Sequence, residues 1–155
     1  MGKSKHYSYR GRKKRNTEYG EPIQDSIAVD GSSSMKTGEC ECRGVYTHDS
    51  EELFRTGTFI EGTNNIMEFL AIVHGLMFCQ NENLSIPIYS DSVTALTWVK
   101  KKDINTNQPR TENNADLFEI VDESIEWLHN NDYPNEVLKW HTKAWGEIPA
   151  DFNRK

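Results

Sequence analysis

The sequence lacks any apolar run approaching the roughly 18 residues of a membrane-spanning helix. Cysteine is scarce: Cys40, Cys42 and Cys79 make an odd count with no C-x-x-C pair, which argues against a disulfide framework and a zinc site. On a strand Cys40 and Cys42 would share one face, and the plain reading of all three is small buried thiols in a reducing compartment. The N-terminal "MGKSKHYSYRGRKKR" has no apolar stretch of the kind a signal peptide needs. His6 stands where a myristoylation pattern requires Ser or Thr. Together these absences point to a cytoplasmic chain with no membrane role, and a monomer is the default expectation.

Positive charge is also short overall, at 18 Lys and Arg against 24 Asp and Glu, for a net −6. The average hides an asymmetry. Residues 1–20 hold Lys3, Lys5, Arg10, Arg12, Lys13, Lys14 and Arg15 against Glu18 alone, so the remaining body is more acidic than the whole. A basic arm before an acidic body suits a chain whose arm binds a polyanion, although a solvated, disordered arm has the same composition. Tyr7 and Tyr9 interleave with the basic residues, as stacking on a nucleic acid would favour. The length of 155 residues fits one core, and we divide it into an arm, 1–20, and a single domain, 21–155.

What is present after the arm is a sequence of clear periods. "IQDSIAVD" reads as a strand ending at Asp30, and "ECECRGVYT" and "ELFRTGTFIE" as two more in an antiparallel meander. "GTNNIMEFLAIVHGLMFCQ" switches to helical spacing at Ile66, Phe69, Leu70, Val73, Leu76 and Met77, with Thr63 or Asn64 as cap. "LSIPIYSD" is a fourth strand, "SVTALTWVKKK" a short helix, "ADLFEIVDESIEWLHN" a longer one and "EVLKW" a fifth strand. Pro149 suits the first turn of a final helix. The order predicts an α/β fold: a five-stranded mixed sheet, three antiparallel strands and then parallel ones, flanked by helices.

Three acids fall at comparable places. Asp30 ends the first strand, Asp91 ends the fourth, and Glu68 lies early in the first helix. Ligands gather at the carboxyl ends of strands in sheets with helical crossovers. Carboxylates packed together raise one another's pKa, so the grouping makes chemical sense around hard divalent cations such as Mg²⁺ or Mn²⁺. Any one acid alone is more simply a solvated strand end or a helix-dipole partner; the three together are not so easily dismissed.

"VDGSSS", "GTNNIMEFLAIVHGL", "YSDSVTALTWVK" and "LKWHTKAWGEIPADFNRK" resemble the four active-site blocks of type 1 ribonuclease H, in its bacterial form. The resemblance runs from about Ile23 to the C-terminus. It implies a ribonuclease H-like fold and an endonuclease that hydrolyses the RNA strand of RNA–DNA hybrids by a two-metal-ion mechanism. The products would carry 5′-phosphate and 3′-hydroxyl ends. By the same resemblance Asp30, Glu68, Asp91 and Asp151 hold two Mg²⁺ ions, with Mn²⁺ as a substitute. His141, ten residues before Asp151, matches a mobile histidine that helps protons or product leave, and Glu147 matches an acid that assists metal exchange. Asn64 and Asn65 would contact the hybrid in its minor groove. Thr63, Asn65 and Thr142, with Thr106, would cradle a phosphate of the DNA strand, and Trp98 would pack on a deoxyribose.

The first block departs from the family's Asp-x-Ser-x-x-x-Asn-Pro-Gly. Here it reads "DGSSSMKTG", which keeps Ser32 as a nucleic-acid contact but sets Met35, Lys36 and Thr37 where Gly, Asn and Pro are usual. Lys36 is then a candidate phosphate contact. Two other readings compete: another nuclease of the same fold, and a non-catalytic nucleic-acid-binding module. The Asn pair, Trp98 and the closing "WGEIPAD" favour the hybrid-specific reading over the first. The presence of all four acids favours an enzyme over the second.

Overall fold

The computed structural model describes residues 19–153. Nearly all of the expected arm therefore lies outside the described residues, with only Tyr19 and Gly20 inside them. The elements are β1 (Ile27–Ser33), β2 (Glu39–Tyr46), β3 (Glu52–Ile60), α1 (Asn64–Glu82), β4 (Ile88–Ser90), α2 (Val93–Lys101), α3 (Ala115–Asn130), β5 (Val137–Lys139) and α4 (Thr142–Trp145). They form one five-stranded sheet in the order β3-β2-β1-β4-β5. The β1–β2 and β2–β3 pairs are antiparallel, and the β1–β4 and β4–β5 pairs are parallel. This is the mixed sheet with flanking helices that the order of periods predicts.

The alternation of the strands builds two cores. Ile27, Val29, Cys40, Cys42 and Ile88 face α1, α2 and α3, where Phe69, Leu76, Leu117 and Leu128 are fully buried. Each such side chain contributes about 1.5–3 kcal/mol by leaving water. The helix α1 is buried on most of its circumference, which suits a helix lying between the sheet and other helices. The opposite parity, Ala28, Val45 and Tyr89, packs under Trp140, Ala144, Trp145, Ile148 and Ala150 from the end of the chain. All three cysteines are buried free thiols.

Local chemistry sets the element ends. The Thr63 hydroxyl accepts from the Ile66 amide at 3.1 Å to cap α1, and the Ser92 hydroxyl accepts from the Ala95 amide at 3.0 Å to cap α2. Asn83 and Lys102 close these helices in the left-handed region, at φ 56° and 61°. The long connection after α2 is tied to the end of β3. The Glu61 carboxylate accepts from Thr111 Oγ1 at 2.6 Å and Asn113 Nδ2 at 2.7 Å, and its carbonyl accepts from Gln108 and Asn114 side chains.

Two sequence expectations are corrected. The first strand does not end at Asp30: its ladder with β2 continues through Gly31, Ser32 and Ser33. What ends near Asp30 is the pairing with β4, which covers Ile27–Ile88 and Ala28–Tyr89. The second correction is at the close of the chain. A four-residue helix, α4, precedes Gly146, and no helix begins at Pro149. The backbone groups a helix would use are engaged elsewhere. The Ala150 and Asp151 carbonyls accept from Arg43, and the Phe152 amide donates to Asp30.

Candidate active site

Asp30 and Asp91 come level because β1 and β4 are parallel neighbours. Continuing their register past Ala28–Tyr89 sets the two acids opposite one another where the strands part. Glu68, one turn into α1, reaches the same place. Its Oε1 accepts from the Gly31 amide at 3.1 Å. That contact depends on Gly31 being a glycine: a Cβ there would stand 2.2 Å from the Met67 carbonyl carbon and 2.4 Å from the Glu68 nitrogen. Strand and helix touch backbone to backbone, and the acids follow.

Ligand oxygens of Asp30, Glu68 and Asp91 all lie within 4.8 Å of one another, making a candidate metal site. Burial raises all three pKa values. Asp30 is pushed up to about 6 by burial, with the Asp91 and Asp151 charges adding and hydrogen bonds from Glu68 and the Phe152 amide opposing. Glu68 is pushed up to about 10, first by burial and then by the charges of Asp30 and Asp91. Asp91 is raised by burial; Lys139 opposes the shift, and Asp151 and Glu147 add to it. Partly buried carboxylate oxygens gathered this closely fit a hard divalent cation. Arg43, the cross-strand partner of Asp30, turns its guanidinium to backbone carbonyls instead.

The remaining sequence candidates are distributed around this cluster. Asp151 is outside the tight triad, on a turn whose amide donates to the Ile148 carbonyl at 2.9 Å, but its charge reaches both Asp30 and Asp91. Glu147 is exposed on the segment after α4, and its charge reaches Asp91. His141 immediately precedes α4. Its ring is stacked on Tyr19 at 3.6 Å, nearly parallel at 7°, and meets Trp145 edge-on at 5.1 Å. Thr142 opens α4.

Thr63 and the exposed Asn64 and Asn65 lie at the start of α1, and Asn64 Oδ1 accepts from the Ser33 amide at 2.7 Å. This ties the Asn pair to the far end of β1. Thr106 is on the connection held by Glu61, where its hydroxyl accepts from the Gln108 amide at 3.2 Å. Ser32 is buried in β1, and Lys36 is exposed in the turn that follows. Trp98 is only 7% exposed and meets Phe69 edge-on at 6.2 Å. It belongs mainly to the core between α1 and α2, and little of its ring is open to a sugar.

Three residues escaped the sequence reading. Lys139 pairs with Ser90 in the β4–β5 ladder, one residue before Asp91, and its charge reaches that acid. Arg43 grips the chain end, and Tyr19 covers His141. Only Lys139 had a readable signal, a cation in a predicted strand beside the acid-bearing one.

The family model for RNase H matches residues 24–144. Ribonuclease HI of Haemophilus ducreyi is 26% identical over 141 residues, covering 81% of this chain and 92% of that protein. Among solved structures, RNase H1 of the halophilic archaeon Halobacterium salinarum is similar at TM-score 0.46 and 19% identity, over 74% of this chain and 82% of that one. LC11-RNase H1, isolated from compost by a metagenomic approach, reaches TM-score 0.49 at 16% identity, over 76% of this chain and 85% of its own. The chain belongs to the RNase H family, ribonucleases that act on RNA–DNA hybrids, and is an enzyme of that class.

Proposed function

We propose that this ribonuclease H is a divalent-metal-dependent endonuclease that hydrolyses the RNA strand of an RNA–DNA hybrid, leaving 5′-phosphate and 3′-hydroxyl ends. The observation that carries this reading is the convergence of Asp30, Glu68 and Asp91 oxygens within 4.8 Å at the carboxyl end of parallel strands. Those three residues and Asp151 would hold two Mg²⁺ ions, with Mn²⁺ as a substitute. When bound, such ions activate water and neutralise charge on the leaving oxygen of a phosphodiester. The chain's own residues orient and bind. Glu68 is fixed by the Gly31 amide, and Asp30 by the Phe152 amide.

Thr63, Asn65, Thr142 and Thr106 suit the phosphate of the DNA strand, and Asn64 and Asn65 the minor groove. Amides both donate and accept, as the RNA 2′-hydroxyl does, so they can distinguish RNA from DNA there. Ser32 on β1 and the exposed Lys36 in the turn after it would add contacts to the hybrid, and the small exposed part of Trp98 would meet a deoxyribose. His141 and Glu147 lie on the segment leading to Asp151, where they can serve proton transfer and product departure. We assign the basic residues 1–20 a salt-sensitive supplement to affinity, and expect a cytoplasmic monomer.

The test is a cleavage assay with labelled RNA–DNA hybrid, duplex DNA and duplex RNA, in Mg²⁺ or in EDTA. Metal-dependent cleavage of the hybrid's RNA alone is the expected result. Cleavage of duplex DNA would indicate another nuclease of this fold, and binding without cleavage a non-catalytic module. The variant Asp91→Asn should fold and be inactive; near-normal turnover would remove the site assignment.

A further inference from the structure

No helix holds Asp151; besides the local bond of its amide to the Ile148 carbonyl, its backbone is restrained by a residue 108 positions earlier. Arg43 lies on β2, directly across from Asp30. Its Nε donates to the Ala150 carbonyl at 2.8 Å, and its Nη2 donates to the Asp151 carbonyl, also at 2.8 Å. The guanidinium carbon is 4.8 Å from the centre of the Phe152 ring, and that of Arg55 is 5.4 Å from it, so one aromatic ring is shared by two cations. Glu52 steadies both arginines, at 3.3 Å from Arg43 and 2.8 Å from Arg55. On the other side the Phe152 amide donates to Asp30 Oδ2 at 3.0 Å. Three successive residues, 150 to 152, are thus pinned to the two strands that carry or flank Asp30.

We propose that Arg43 is a positioning residue for Asp151: its two backbone hydrogen bonds set the Asp151 carboxylate at the second metal position beside Asp30 and Asp91. The inference rests on the reading of Asp151 as a metal ligand. A guanidinium suits this task because its planar fork can serve two adjacent carbonyls at once while remaining charged. An ammonium has no such fork, so Lys is not equivalent here.

The experiment measures metal binding apart from catalysis. Mn²⁺ is titrated into the full chain and followed calorimetrically or by electron paramagnetic resonance, for wild type, Arg43→Met, Arg43→Lys, Asp151→Asn and the double variant Arg43→Met/Asp151→Asn. Wild type should show a tighter and a weaker class of site. Arg43→Met should weaken the second class by about tenfold or more, the usual size for losing a partner that orients a ligand, and leave the first unchanged. Arg43→Lys should fall between. In the Asp151→Asn background the Arg43 change should have no further effect on metal. The half-saturating Mg²⁺ for hybrid cleavage should rise in parallel for Arg43→Met, with activity recovered at high Mg²⁺.

A Mn²⁺ isotherm of Arg43→Met that superimposes on wild type would overturn the proposal, as would additive losses in the double variant. Should Arg43→Met fail to fold, Arg43→Lys carries the same comparison, and an isotherm like wild type overturns it equally. A wild-type chain that cleaves no hybrid would count against the proposed function. A clean loss of the second metal class in Arg43→Met would still stand in that case.

Discussion

Replacing Glu68 with Gln takes one ionisable group out of a buried acid cluster and leaves its shape. Gln Oε1 can still accept from the Gly31 amide, where Glu68 now does so at 3.1 Å. Its amide can donate to Asp30 in place of a carboxylic proton. With no metal bound, burial pushes Asp30 up to about 6 and Glu68 up to about 10, above the ordinary range of about 4 to 4.5. The folded chain therefore holds a proton that the unfolded chain has released. For carboxyl groups raised in this way, folding is most favoured at and below the ordinary carboxyl range. Stability is then lost as pH climbs from there toward the folded-state values.

One proton of difference is worth about 1.4 kcal/mol per pH unit, so going from pH 5 to pH 8 removes at most about 4 kcal/mol. Water entering the open cleft reduces this to about 2 kcal/mol. Thermal unfolding in EDTA should then show Glu68→Gln gaining on wild type by about 6 °C between pH 5 and pH 8, at roughly 3 °C per kcal/mol for a domain of this size. Titrations elsewhere are common to both proteins and cancel in the difference. Mg²⁺ should raise the wild-type midpoint at pH 8 more than that of the variant, which should also lose hybrid cleavage. A melting difference that does not change with pH, or a variant less stable than wild type at pH 8, would refute the reasoning.

Other perturbations probe the frame around the cluster. Gly31→Ala puts a methyl against the backbone of Met67 and Glu68; it should cost about 2–3 kcal/mol in denaturant unfolding and abolish cleavage, and stability within about 0.5 kcal/mol of wild type would contradict the close approach. Glu61→Ala should free the connection that carries Thr106, seen as faster tryptic cutting after Arg110 and a higher KM for hybrid with little change in kcat. Ser124 is fully buried, and its hydroxyl has no partner among the described residues. Ser124→Ala should therefore stabilise by about 1 kcal/mol, and a lower midpoint would show that the hydroxyl is satisfied after all.

The features legible in the sequence are those whose cause is local. The period of Ile66, Phe69, Leu70 and Val73 and the Thr63 cap announce α1 within a single window, and Ser92 announces α2 in the same way. Glu68 and Asp91 are placed by those same elements. Asp30 stands beside Asp91 for a reason the sequence does not carry. The strand does not stop there; its parallel neighbour does, and pairing length is a property of two strands. The final helix does not form because Pro149 permits a helix start without requiring one. Whether the backbone of Ala150 and Asp151 bonds to itself or to Arg43 depends on the β1–β2 register and on the path of residues far along the chain. The Tyr19–His141 stack is hidden for the same reason, as a contact across 122 positions.

The far side of the sheet carries a consequence of a different kind. β3 is an edge strand of nine residues, mostly open to solvent, and a long open edge is a template on which another strand can dock. Here the ladder with β2 slips at Cys40/Glu41 and again at Gly44/Val45, so the edge is bent at two places. Glu52 and Arg55 add charges of both signs along it. A neighbouring sheet would have to match two kinks and accommodate both charges at once. The same Arg55 that lies over the ring of Phe152, with Glu52 as its ion-pair partner, thus helps keep the molecule from growing by strand addition.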